Sequence, residues 1–190
     1  EIAADALGVG DGGTVIVWAD GATEFAGSIV ARGGEQGGDG GFVETSSPIN
    51  LIILDSAQVD TFAPGGEIGT WLLDPDNLTI VDVIAPGNTE AIIDNGVNSP
   101  EAGNIILAST VENALNGSNV TLQANNSISV NAVVNASQSS NNLTLRRTTL
   151  GPFTINLNQP IILGPGGTLS GGGRINNIKI GATTVNVGSE

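Results

Sequence analysis

The sequence predicts an all-β fold built from many short strands laid one on another. Three observations carry that reading. The apolar mass is aliphatic: apolar residues make up 39% of the 190 but aromatic residues only 3%. A globule of this length leans on aromatic bulk for its core, whereas Val, Ile, Leu and Ala suit thin layers of strands. Second, 28 glycines and abundant asparagine fall between the apolar runs, at turn positions and without a collagen-like period. Third, short motifs recur along the chain.

The recurrences set the organisation. Gly12-Gly13 precedes a strand-like run at Thr14, and Gly40-Gly41 precedes another at Phe42, 28 residues on. Gly65-Gly66 follows 25 residues later. Val120-Thr121-Leu122-Gln123 returns as Leu143-Thr144-Leu145-Arg146 at an offset of 23, and Ile128-Ser129-Val130-Asn131 as Ile155-Asn156-Leu157-Asn158 at 27. Strands of this length cannot stand alone, but stacked at ~4.8 Å they bury one continuous core. A repeat of about 25 residues makes roughly seven coils, a rod on the order of 35 Å. The alternation in Val15-Ile16-Val17, Leu51-Ile52-Ile53-Leu54 and Thr184-Val185-Asn186-Val187 sends one side chain in and the next out. In the same way one of Leu72 and Leu73 is expected to be fully buried.

One segment breaks the strand pattern. Ser109-Thr110-Val111-Glu112 has the form of a capping box, Val111 and Leu115 are spaced i,i+4, and Gly117 follows as a stop. A short helix is expected over 110–116, on a corner of the coil. The polar stretch from Pro86 to Pro100 reads as an irregular excursion. No linker divides the chain, so residues 1–190 are taken as a single domain.

Charge and composition exclude several functions. Five Lys and Arg against 19 Asp and Glu give a net charge of −14, which argues against nucleic acid or an anionic membrane as partner. Absence of Cys and His removes the usual zinc, copper and iron ligands, the Ser-His-Asp triad and cysteine nucleophiles. No run of 18 apolar residues predicts a membrane-spanning helix. Glu1 begins without a charged-then-apolar leader, so a signal peptide is expected to lie outside these residues. The charge is also uneven. Residues 1–112 hold eighteen acids and one base, Arg32, whereas residues 113–190 hold four bases (Arg146, Arg147, Arg174, Lys179) and one acid, Glu190.

The run GGDGGFVETS at 37–46, followed by GTWLLDPDNLTI at 69–80, resembles the filamentous-haemagglutinin-like exoproteins, the large proteins exported by two-partner secretion. Residues 13–20, 109–115 and 119–130 resemble the same family, in the expected order. Beyond about Leu150 the likeness is compositional. The resemblance implies a right-handed parallel β-helix, export through an outer-membrane secretion partner, and a cell-surface or extracellular location. It implies roles in adhesion, aggregation, biofilm matrix or competition by contact, and it carries over no catalytic residue. The family's secretion-signal domain is not evident, so the chain is expected to be a segment beyond it.

Candidate sites each have a structural alternative. Asp74, Asp76 and Asp82 put three carboxylates within nine residues, a weak calcium candidate, but Asp74 before Pro75 also starts a turn. The turn is the preferred reading, and no metal or cofactor is expected. The glycine-rich stretch 34–40 lacks the spaced Asp of calcium-binding nonapeptides and reads as a plain turn. Carboxylates at Asp20, Glu44, Asp55 and Asp60 raise the alternative of a β-helix polysaccharide lyase or hydrolase. With no His, no Tyr and one Arg before residue 146, substrate positioning is poorly served, and the expectation is not an enzyme. Trp18 and Trp71 lie in apolar strands and are expected to be buried rather than to stack on sugars. Asn pairs at 125–126, 141–142 and 176–177 are expected to form amide ladders.

The sequence thus points to a structural or adhesive segment, with a host, cell-surface or glycan ligand as possible partner. The alternative is a fibre subunit that stacks end to end as a head-to-tail homo-oligomer. No cap is evident at the start, and residues 183–188 still read as strand.

Overall fold

The structure is a computed structural model that describes residues 1–82, 104–148, 153–172, 177–180 and 183–185. The expected excursion at 86–100 lies outside them. Nineteen strands and one helix are found among the described residues. They run, in chain order, β1 (Ile2–Ala3), β2 (Thr14–Trp18), β3 (Ala22–Phe25), β4 (Ser28–Val30), β5 (Phe42–Ser46) and β6 (Asn50–Ile53). Next come β7 (Gln58–Asp60), β8 (Thr70–Leu73), β9 (Asn77–Val81), β10 (Ile105–Leu107), α1 (Ala108–Ala114), β11 (Asn119–Ala124), β12 (Ser127–Val130) and β13 (Val134–Ala136). The last are β14 (Leu143–Arg147), β15 (Thr154–Leu157), β16 (Ile161–Leu163), β17 (Leu169–Gly172), β18 (Asn177–Ile180) and β19 (Thr183–Val185).

These strands pair into parallel sheets in which every neighbour comes from the adjoining repeat. One six-stranded sheet has the order β2-β5-β8-β11-β14-β17, and an eight-stranded sheet runs β3-β6-β10-β9-β12-β15-β18-β19. Smaller sheets, β1-β4-β7 and β13-β16, share the helix between them, since α1 packs against both β7 and β13. The pairing Thr14↔Phe42↔Thr70 keeps a 28-residue offset, and Val120↔Leu143 and Ile128↔Ile155 reproduce the offsets of 23 and 27 seen in the sequence.

The register explains which residues form the core. In the six-stranded sheet Val15, Val43, Trp71, Val120, Leu143 and Leu169 fall in one column, and Val17, Thr45, Leu73, Leu122, Leu145 and Gly171 in the next inward column. Within the stack these side chains lose their solvent: Val43, Trp71, Leu73, Val120 and Leu143 are fully buried. Each buried aliphatic of this size contributes about 1.5–3 kcal/mol. As expected, one of the Leu72–Leu73 pair, Leu73, is fully buried, and the outward Leu72 is also largely covered.

Several expectations need correction. Gly65-Gly66 are not the counterparts of Gly40-Gly41; the register puts Ile68-Gly69 there, while Gly65 and Gly66 lie against Gly37 and Gly38. Glycine pairs are locally interchangeable in sequence, and only strand pairing distinguishes them. The six-stranded sheet holds six levels rather than seven coils, because Trp71↔Val120 spans 49 residues where one repeat was expected. The helix is displaced too. It begins at Ala108 with Leu107 as N-cap and no side-chain cap, and the capping box does not form. Burial of Ala108, Val111, Ala114 and Leu115 sets its position, and Glu112 accepts instead from the backbone N–H of Asn135 at 2.7 Å. Gly117 does close it, donating to Ala114 O. Finally, β19 is not another parallel level. It turns back antiparallel on β18 and covers that edge of the eight-stranded sheet.

Strand β10 enters the eight-stranded sheet between β6 and β9, out of chain order. It pairs with β9 over three residues but with β6 only through Ile105↔Ile52. Asn104 fills the resulting gap. Its φ of 68° is left-handed, tolerated best by Gly, Asn and Asp, and it is buried with both ends of its amide used on Ile49 and Leu51.

Candidate binding surface

The carboxylates of the weak calcium candidate are held by hydrogen-bond donors. Asp74 follows β8 and accepts from Gln123 Nε2 at 2.8 Å and from Thr148 Oγ1 at 2.5 Å. Arg146 Nε donates in turn to Gln123 Oε1, so Asp74, Gln123 and Arg146 make one column across three strand levels. Asp76 accepts from Asn125 Nδ2 at 2.5 Å. Asp82 is exposed just after β9. Among the described residues no group of three or more acidic side chains is placed to hold a metal ion.

A second acidic row sits at the glycine corner before β2, β5 and β8. Asp11 accepts the N–H of Asp39 at 2.7 Å, and Asp39 that of Glu67 at 2.8 Å. Beside it a shallow groove of about 400 Å³ is lined by Asp39, Glu67, Phe42, Ile68 and glycines. Its carboxylates hold the next level's backbone, so the row is a structural ladder with an acidic outer rim.

The other predicted carboxylates are scattered. Asp60 takes the guanidinium of Arg32 and the N–H of Phe62, and Arg32's own N–H goes to Asp5. The side-chain hydrogen bond and charge of Asp60 raise the arginine pKa above its ordinary value. Asp20 and Asp55 are exposed and Glu44 is half-buried on β5.

The two tryptophans part company. Trp71 is fully buried, donates from Nε1 to Thr45 Oγ1 at 3.0 Å, and meets Phe25 edge-on with ring centroids 6.3 Å apart. Trp18, expected inside, is 54% exposed, because it ends the edge strand β2 on its outward face. Ile16, on the same face, is 60% exposed. Amide ladders form, but not between the predicted pairs. Asn142 N donates to Asn119 Oδ1 and Asn158 Nδ2 to Asn131 Oδ1, whereas Asn125 bonds Asp76 and Asn141 bonds Leu115 O. Asn176 lies outside the described residues. The missed positions follow from offsets of 23 and 27, which place Asn119 under Asn142 and Asn131 under Asn158.

No helix among the described residues is long and apolar enough to cross a membrane. In comparisons with known proteins, no family model and no curated sequence matches this chain.

Proposed function

We propose that the chain is a stretch of right-handed parallel β-helix from a large secreted bacterial surface protein, with a structural or adhesive and non-enzymatic role. The observation that supports it best is the in-register parallel ladder, in which each strand pairs with its counterpart one repeat away. A solenoid of this kind offers long regular faces rather than a deep pocket, which suits attachment along a surface. The two-partner-secretion resemblance at residues 37–46 and 69–80 supports the extracellular location and an outer-membrane export partner. The carboxylates engaged by Gln123, Thr148 and backbone N–H groups fit a structural use of the acids.

The test is a binding and turnover assay with the purified chain. Saturable attachment to host cells, bacterial cells or immobilised glycans without chain cleavage is expected. Release of new reducing ends or unsaturated uronates from a polysaccharide panel would overturn the non-enzymatic reading.

A further inference from the structure

Strands β2 and β17 are the two edges of one sheet, and each leaves part of its inward column uncovered. Val15 and Val17 on β2 are only partly buried, whereas Val43 and Thr45 beneath them are fully buried. At the opposite edge Leu169 is 45% exposed, although Leu143 in the same column is fully buried. The backbone is polarised in the same way. Phe42 donates to Gly13 O and Ala19 to Ser46 O, so in a parallel ladder the odd residues of β2 face β5. Thr14, Ile16 and Trp18 therefore turn their N–H and C=O groups outward, and among the described residues no strand lies beyond them. On β17, Leu143 N donates to Thr168 O, so Leu169 and Gly171 face outward.

We propose that β2 of one copy of the chain receives β17 of a second copy, head to tail, with Ile16 opposite Ser170. This goes beyond the adhesive reading and rests on the parallel ladder alone. The register continues the existing column of Ile16, Glu44, Leu72, Thr121, Thr144 and Ser170. It sets Leu169 over Val15 and supplies each outward group on β2 with a partner one position either side of Ser170. Charge favours the same pairing. Exposed Asp11, Asp20 and Glu24 border the β2 end, while residues 113–190 carry four bases and one acid. Two β2 ends repel, and opposite ends attract. Strand β19 covers the corresponding edge of the eight-stranded sheet, so the contact is confined mainly to one sheet and is reversible.

The chain has no cysteine, which makes directed cross-linking clean. Full-length Ile16→Cys and Ser170→Cys variants are mixed at low salt under mild oxidant. Neighbouring strands bring the two sulfurs within disulfide range. The mixed cross-link is expected at about tenfold or more over either variant alone, falling severalfold as salt screens charges beyond about 8 Å. A chain carrying both Thr144→Cys and Ser170→Cys reports the position of β17 by closing internally. Wild-type mass by light scattering rises with concentration, and Ile16→Pro, which removes an outward donor on an edge strand, abolishes the rise while keeping the circular dichroism spectrum. Three results overturn the proposal: no mixed cross-link while the internal pair closes, cross-linking of Ile16→Cys alone at equal rate, or failure of the internal pair to close.

Discussion

The side-chain oxygen of Asn104 accepts the backbone N–H of Leu51 at 2.8 Å, across 53 positions of sequence. Its amide nitrogen reaches Ile49 O, so one side chain closes the wedge where β6 and β9 are parted by β10. Asn104→Ala leaves a buried N–H without an acceptor and puts a β-carbon residue at φ 68°. Together these cost about 2–5 kcal/mol. Asn104→Gly removes the strain but not the orphan, so it should cost about 1–3 kcal/mol. Denaturant unfolding of the two variants checks the order; equal losses would mean the wedge does not depend on the amide.

Trp71 and Thr45 form the core's polar contact. Thr45→Val leaves the Trp71 N–H buried and unpaired, at a cost of about 1–3 kcal/mol, while Trp71→Ala costs about 3–5 kcal/mol. The double variant Thr45→Val with Trp71→Phe should lose less than the sum of the singles. Fluorescence separates the tryptophans: acrylamide should quench Trp18 readily and leave Trp71 largely protected. Equal quenching of both would contradict the placement of β2 at the sheet edge.

Calcium should matter little. Both oxygens of Asp74 accept from neutral donors, Gln123 and Thr148, and an ion would have to displace those bonds before binding. Removing divalent ions with a chelator is expected to leave the melting temperature within about two degrees, less than 1 kcal/mol of stability for a chain of this size. A ten-degree fall would make a metal part of the fold.

The Arg32–Asp60 ion pair is half exposed and should contribute no more than about 1 kcal/mol. Asp60 raises the arginine pKa, so that contribution is fully present below the unfolded arginine's value and lost only as pH climbs through the folded one. That window lies far above neutrality, so between pH 5 and 9 the guanidinium adds no pH dependence of its own. Arg32→Gln should therefore lower stability slightly and almost equally across that range, as thermal melts at several pH values would show.

How far the sequence was legible depended on what kind of information each feature needs. Glycine pairs before Thr14 and Phe42, and the repeated β-strand motifs at Val120/Leu143 and Ile128/Ile155, revealed true neighbours because a strand's partner one repeat away has the same inward residues. Asn104, β10 and the 49-residue step from β8 to β11 were not legible, since they depend on where the chain re-enters a sheet. The capping box at Ser109 failed because burial of Ala108 outweighs a surface cap. Trp18 was misplaced because hydropathy along a strand does not say whether that strand lies at an edge.

The glycine corner gives the sharpest contrast between two substitutions of one kind. A β-carbon on Gly69 would stand 2.1 Å from Gly41 O and 2.6 Å from Gly40 C, both backbone atoms of the neighbouring level. Neither can swing aside as a side chain would, so the strands must separate and the bond from Thr70 N to Gly41 O must stretch with them. The inward column beside it, Trp71 and Leu73, would then lose close packing, and the combined cost of Gly69→Ala is set at about 3 kcal/mol or more. Gly21 is the counterpart. Nothing lies within 4 Å of a β-carbon there and its φ is not left-handed. Gly21→Ala narrows the unfolded ensemble at no steric cost, and should be neutral or stabilising by about 0.4–1 kcal/mol. Denaturant midpoints of the two variants should therefore move apart. If Gly69→Ala unfolded at the wild-type midpoint, the close approach of successive levels at this corner would be wrong.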